Sequence, residues 1–198
     1  MINRNLIDGI ALPVGDRYGD EVFDNYLDWY AGIAKRYKPK RILEIGVRYG
    51  YCAISMMTGL HANRGAPNCE YLGLDDESYH PCLARANENF TAVVPWASAR
   101  AIHWNTFLHG VPSDCGMFQL AHVDGNHSYE GVKRDLAAVW PVVEVGGMIV
   151  LDDALAIYSN PIWQAIQDFL NCHLATPNMV EHQYLETLRG HYLIRKVD

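Results

Sequence analysis

The segment Arg41–Ile54, Arg-Ile-Leu-Glu-Ile-Gly-Val-Arg-Tyr-Gly-Tyr-Cys-Ala-Ile, leaves this chain few choices of fold. Arg41 to Ile45 is apolar and β-branched enough for a short buried strand, with an acid, Glu44, near its end. Gly46 and Gly50 then fall where a strand must turn sharply into a helix, continued by Cys52, Ala53, Ile54, Met56, Met57 and Leu60. Glycine in such a turn adopts unusual dihedrals and lets a ligand lie against bare backbone. The helix N-terminus beside it offers free N–H donors and a partial positive charge. The stretch predicts a cradle for a nucleotide-type ligand.

The spacing excludes two such cradles. A dinucleotide fingerprint starting at Gly46 needs glycines where Arg48 and Tyr51 stand. A phosphate-binding loop needs Gly-Lys-Ser/Thr, which is absent. What remains, acid-x-Gly-x-x-x-Gly, resembles the first motif of class I S-adenosylmethionine-dependent methyltransferases.

The rest of the chain alternates in kind. Residues 1–19 hold Pro13, Gly15 and Gly19 without a period and read as an irregular arm. From Asp20, the residues Phe23, Tyr26, Leu27, Tyr30, Ile33, Ala34 and Tyr37 form one face of an amphipathic helix, stopped near Lys38-Pro39. This helix is expected to cover the sheet edge or the mouth of the cradle. Asn63 to Asn68 marks a loop. Strands are predicted at Glu70–Leu74, Ala101–Trp104, Phe118–Val123 and Met148–Leu151. Helices are predicted around Pro81–Phe90, along the stripe Val132, Leu136, Val139, Trp140 and Val143 closed by Gly146-Gly147, and after a Ser159-Asn160-Pro161 cap. Segments Met179–Glu186 and His191–Val197 flank Arg189-Gly190 as an antiparallel hairpin. Strand–helix alternation implies an α/β fold with a doubly wound, mostly parallel sheet and a C-terminal antiparallel hairpin. That is also the Rossmann-like fold the methyltransferase resemblance implies, over roughly residues 38 to 198.

The 198 residues, 49% hydrophobic, suit one domain: an arm and helix over 1–37 and a cofactor-binding core over 38–198. A net charge of −7 argues against nucleic acid as a partner. Five scattered cysteines without a Cys-x-x-Cys pair suit reduced thiols in a cytoplasmic protein. No signal-peptide core or membrane-spanning run is present.

Ligands of open α/β sheets bind beyond the carboxyl ends of the strands. Four predicted parallel strands end in acids there: Glu44, Asp75-Asp76, Asp124 and Asp152-Asp153; the other ends at Asn105. One such acid alone often caps the next helix, but the set on one rim points to a site. The methyltransferase resemblance gives Asp75 the ribose hydroxyls, with Asp76 as the alternative, and Asn105 the adenine amino group. Glu44 and the Gly46–Tyr51 backbone, Gly50 included, would face the methionine part; Arg48 would pair its carboxylate, and Asp124 would also reach the cofactor.

The stretches His122-Val-Asp-Gly-Asn-His-Ser-Tyr-Glu-Gly-Val-Lys-Arg-Asp-Leu136 and Val145-Gly-Gly-Met-Ile-Val-Leu-Asp-Asp153 are similar to Asp-Gly-x-His-x-Tyr and Gly-Gly-…-Asp-Asp motifs. Those motifs belong to macrocin-type sugar O-methyltransferases, whose metal arrangement is shared with catechol and caffeoyl-CoA O-methyltransferases. The resemblance implies that Asp124, Asp152 and Asp153 hold Mg²⁺ or Mn²⁺. Neighbouring strands lie roughly 4.8 Å apart, so these carboxylates would converge and repel unless a cation joined them. Hard oxygen donors suit either ion. Some sugar-methylating relatives carry a second aspartate as base where Asn126 stands, and Asn126 takes no proton. His127 follows, where catechol-type enzymes place a catalytic lysine, and its ordinary pKa suits a general base. His122 reads as a core histidine, and Lys133, Arg134 and Asp135 as the solvated face of their helix.

The expected activity is therefore metal-dependent O-methyl transfer from S-adenosylmethionine to a small sugar or catechol-like acceptor. The rivals are a metal-independent methyltransferase acting on an amine or hydroxyl, and a non-catalytic cofactor-binding subunit. A homo-oligomer is an open expectation, since small enzymes of this group are often symmetric.

Overall fold

The computed structural model describes residues 20–61, 69–157, 159–174, 180–187 and 189–197. The expected N-terminal arm, the loop at Asn63–Asn68, Tyr158 and Met179 lie outside the described residues. The elements run α1 (Asp20–Tyr37), β1 (Arg41–Ile45), α2 (Tyr51–His61), β2 (Glu70–Asp75), α3 (Leu83–Val93), β3 (Ser98–His103) and α4 (Thr106–His109). They continue with β4 (Phe118–Val123), α5 (Tyr129–Val139), β5 (Val143–Leu151), α6 (Pro161–Leu174), β6 (Val180–Leu185) and β7 (His191–Lys196). The seven strands form one sheet in the order β3-β2-β1-β4-β5-β7-β6, with β7 antiparallel to both neighbours. This is the doubly wound sheet with a terminal hairpin that the alternation predicts.

Strand alternation divides the core in two. Ile42 faces one layer, which holds Trp29, Tyr30, Met57, Leu60 and Phe90 of α1, α2 and α3. Leu43 and Ile45 face the other, with Leu136 and Val139 of α5 and Ile166 and Leu170 of α6. Helix α1 ends where Lys38 takes a left-handed φ of 51°, before a proline that cannot continue a helix. It covers a face of the sheet rather than the expected sheet edge or cradle mouth. Tyr30 and Trp29 are buried against His122 on β4 and His191 on β7, so α1 crosses the sheet face.

Three element boundaries differ from the sequence reading. β3 starts at Ser98, three residues before the expected Ala101. The stripe from Val132 ends as helix at Val139, then as a 3-10 turn at Trp140–Val142, and Val143 already opens β5. Gly146-Gly147 sits inside β5, where the register with β4 shifts between Phe118 and Leu120. Glycine inside a strand marks such a bulge as readily as an end, since both need backbone freedom. The short helix α4 is too brief to leave a period in the sequence.

The strand order reverses between β1 and β4, which opens a crevice beyond their carboxyl ends. Gly46 N–H bonds the Leu74 carbonyl at 2.9 Å and Asp124 N–H the Ile45 carbonyl at 2.9 Å, so the ladder ties these strand ends together past the last paired residues.

Gly59 of α2 marks the crossing of α1 and α2: a Cβ there would lie 2.1 Å from the Ala31 carbonyl oxygen. In an exposed helix, Gly→Ala stabilises by about 1 kcal/mol. Here overpacking reverses the sign, and Gly59→Ala should destabilise by about 1–3 kcal/mol in urea titration. A stabilised variant would place α1 elsewhere.

Candidate active site

The glycine turn is built by close approach. Gly46 has φ 85°, and a Cβ on it would lie 2.0 Å from the Asp124 carbonyl oxygen. Gly50 has φ 79°, and its Cβ would meet the Phe90 ring at 2.4 Å. Asp75, at the end of β2, anchors the turn from below. Its Oδ2 accepts the N–H groups of Val47 at 2.9 Å and Arg48 at 3.0 Å, and its Oδ1 accepts Glu77 N–H at 2.8 Å. Asp76 accepts Ser78 N–H at 3.0 Å and the Asn105 amide at 2.8 Å. Asn105 in turn caps α4 through Leu108 N–H at 2.9 Å.

Above these groups lies an open cavity of about 800 Å³. Gly46 and Arg48 line it from the turn, Asp75, Asp76 and the exposed Tyr79 from beyond β2, and Asn105 and Phe107 from beyond β3. Asp124, Asn126, His127 and, from the β6–β7 loop, Arg189 complete the wall. Gly50 and Tyr51 are not part of that lining; Gly50 packs on α3, and Tyr51 opens α2 beside Tyr49.

Glu44 departs from its expected place. Alternation points it into the α1–α2 layer, where the Tyr71 hydroxyl donates to one carboxylate oxygen and His122 Nδ1 lies 2.7 Å from the other. The Tyr30 hydroxyl closes the set at 2.8 Å from His122 Nε2. All these side chains are buried. Burial opposes a charge on His122, but the bond and charge of Glu44 outweigh it and raise its pKa. Burial first, then Glu44, pushes the Tyr71 hydroxyl well above its ordinary value. Glu44 thus supports the turn from behind, in a network that includes the expected core histidine.

The acids beyond β4 and β5 do gather on one rim. Asp124 Oδ1 lies 3.1 Å from His127 Nε2, and His127 Nδ1 lies 3.5 Å from Asp153 Oδ2. Donor atoms of Asp124, His127 and Asp153 fall within 4.8 Å of one another, as do those of His122, Asp124 and Asp152, so Asp124 joins both groups. Burial, then the charge of Asp152, raises the Asp124 pKa. The bond from Asp124 raises that of His127 against the effect of burial. Asp152 is buried, with Asp153 N–H on its Oδ1 at 2.8 Å and His191 Nε2 at 3.3 Å. Burial, then the neighbouring His122 and Arg189 charges, lowers His191 to about 3, so His191 is neutral there.

Two residues of the site escaped the sequence reading. Arg189 forks onto Asp153, Nε to Oδ1 at 2.7 Å and Nη2 to Oδ2 at 2.5 Å; its hairpin position carried no signal. Asp135 is buried rather than solvated, with the Thr106 hydroxyl on its Oδ1 at 2.6 Å and the Asn126 backbone on its carboxylate. Its signal was spacing, since it stands three residues after Val132 on the apolar stripe. Asn126, where a base would have stood, instead accepts Ser128 N–H at 2.9 Å and shapes the loop.

Comparison with known proteins agrees with this geometry. A family model described as a methyltransferase domain matches residues 43–154. No curated protein matches the sequence. Among solved structures, S-adenosylhomocysteine-bound methyltransferase PaMTH1 of Podospora anserina superposes with a TM-score of 0.68 at 22% identity, covering 91% of this chain and 80% of its own. The O-methyltransferase of Bacillus cereus in complex with S-adenosylhomocysteine gives 0.64 at 15% identity, covering 94% and 84%. TomG of Streptomyces achromogenes, an O-methyltransferase of tomaymycin synthesis in complex with S-adenosylmethionine, gives 0.62 at 14%, covering 85% and 78%. No helix among the described residues is long and apolar enough to cross a membrane, and the five cysteines are free thiols.

Burial pushes the Asp135 carboxyl from 3.8 up to about 6. A carboxyl raised in the folded state binds its proton more tightly there, so its stabilising contribution is full below about pH 4 and falls as pH rises to about 6. Relative to Asp135→Asn, the wild type should lose on the order of 3 kcal/mol across that window, at about 1.4 kcal/mol per unit. Parallel stability–pH curves for the two proteins would refute the buried assignment.

Proposed function

Because the chain belongs to the family of methyltransferase domains, we propose that it moves the methyl group of S-adenosylmethionine to a hydroxyl of a small molecule. The observation that carries this reading is the side-chain-free turn at Gly46, facing the same cavity as Asp75, Asp124 and His127. The cofactors named for the superposed structures support it as well.

In this reading the backbone from Gly46 to Arg48 and the Arg48 side chain hold the methionine part. Asp75 has two tasks: it fixes the turn through Val47 and Arg48 and presents its remaining lone pairs to the ribose. Asp76 is the alternative ribose partner, and Asn105 sits at the adenine end. Asp124 stands where cofactor and acceptor meet. His127 takes the proton of the acceptor hydroxyl. The freed oxygen pair attacks the methyl carbon in line, the carbon–sulfur bond breaks, and S-adenosylhomocysteine leaves. Asp124 at 3.1 Å orients the imidazole and stabilises the proton it has accepted.

A divalent ion, Mg²⁺ or Mn²⁺, would be held by Asp124 with Asp152 and Asp153, whose donor atoms approach Asp124 in two separate groups, one with His122 and one with His127. The aspartates are hard oxygen donors, and burial, then the charge of Asp152, raises the pKa of Asp124. Such an ion, when bound, favours the deprotonated acceptor oxygen. A metal-independent route is the second reading, and the Arg189 fork on Asp153 favours it, because the chain there supplies a cation of its own.

S-adenosylhomocysteine should raise the melting temperature, and Asp75→Ala should weaken its binding at least tenfold by calorimetry, since charge-assisted bonds are worth about 1.5–3 kcal/mol. A chelator should abolish methyl transfer to a panel of sugar and catechol acceptors while sparing cofactor binding. His127→Ala should lose about 10²–10⁴ in rate with cofactor binding intact. Chelator-insensitive transfer selects the metal-independent route, and binding without transfer selects a non-catalytic subunit.

A further inference from the structure

The acid rim is closed by a cation from the C-terminal hairpin. Both oxygens of Asp153 accept from the Arg189 guanidinium, and its third nitrogen lies 3.8 Å from Asp152 Oδ2. A planar fork on a carboxylate is the strongest geometry such a pair can take. Two backbone features deliver it. Asp153 adopts φ 51°, a left-handed conformation that aspartate takes more readily than most non-glycine residues. Gly190 adopts φ 72°, and a Cβ there would lie 2.5 Å from Leu155 N, so only glycine lets the β6–β7 loop rest on residues 154–155. The Gly190 carbonyl accepts Ala154 N–H at 2.8 Å and fixes that contact. Arg189 is thus built into the rim and also lines the cavity.

We propose that Arg189 is the internal counter-ion of the acid rim, and that a divalent cation binding there must displace it from Asp153. This rests on the divalent-ion reading given above. A guanidinium engaging both oxygens of Asp153 occupies the face that an ion shared with Asp124 would use. Two cations held a few ångströms apart in a half-buried site repel more strongly than in water. Ion binding and the Arg189 fork are therefore alternatives, and Arg189 sets the divalent affinity of the site. Displacement also frees a guanidinium toward the cavity and loosens the β6–β7 loop.

Mn²⁺ binding to the full chain, followed by calorimetry and electron paramagnetic resonance, tests this on wild type, Arg189→Lys and Arg189→Met. Arg189→Met, which keeps the aliphatic stem without the charge, should bind Mn²⁺ at least tenfold more tightly than wild type. Arg189→Lys, a point charge without the fork, should fall between them. A second reading needs no variant: saturating Mg²⁺ should speed solvent exchange of the wild-type Arg189 Nε–H in nuclear magnetic resonance. Equal or weaker Mn²⁺ affinity in a folded Arg189→Met protein overturns the exchange alone. An Nε–H unmoved by Mg²⁺ in a protein that binds it does the same. Absence of Mn²⁺ binding by all three proteins overturns both the exchange and the divalent-ion reading.

Discussion

The contact between Gly46 and the Asp124 carbonyl is the constraint on which the rest of the site depends. A side chain at Gly46 would stand 2.0 Å from that oxygen, so the turn after β1 and the end of β4 occupy one shared space. The contact sets the cofactor cradle and the acid rim at a fixed distance from each other, before any ligand enters. Methyl transfer needs that kind of fixed geometry, because positioning two reactants in line accounts for much of the barrier lowering available to such a reaction. Asp75 adds a second constraint, since its carboxylate is spent largely on the turn's own N–H groups. Disturbing Asp75 therefore disturbs the turn that Val47 and Arg48 form.

Behind the turn, the sheet carries polar groups through its core. Tyr30, His122, Glu44 and Tyr71 form a closed, buried set that joins α1 to β4, β1 and β2. Burying a carboxylate is costly unless each lone pair is matched, and here a tyrosine and a histidine match it. Trp29 lies tilted against His191, ring centroids 3.8 Å apart, and His191 approaches Asp152 at 3.3 Å. Helix α1 therefore reaches the rim through two histidines, and none of its described side chains lines the cavity. That gives the segment before the core a part in setting the site's electrostatics.

The parallel strands, the hairpin and the rim of acids were legible because they rest on local patterns: apolar runs, glycine spacing and acids at strand ends. Gly46, Asp75 and Asp124 were reachable in this way, since strand-end position alone brings them to one crevice. Glu44 was not, because an acid within a strand points to either face, and only the neighbouring Tyr71 and His122 decide which. Arg189 was invisible for a different reason. It comes from a hairpin loop far along the chain, and its reach depends on Gly190 lying against Ala154, a contact no local pattern encodes. Asp135 stood on a readable apolar stripe, but charge outweighed spacing in assigning it to solvent.

The rim itself raises a physical question that the packing answers. Asp124 approaches Asp152 on one side and Asp153 on the other, Asp152 being buried, and their repulsion opposes folding unless positive charge comes with them. His191 cannot supply it, because burial and the charges of His122 and Arg189 keep it neutral. His127 supplies it only while it carries a proton, which Asp124 stabilises first. The permanent share falls to Arg189, the guanidinium nearest the buried Asp152 and already bound to Asp153. A rim compensated in this way can fold before any metal ion arrives, whereas a bare triad would have to bind its ion in order to form. Were a divalent ion to bind there, as proposed, its net gain would be its attraction to these acids less the contacts Arg189 already makes with Asp152 and Asp153.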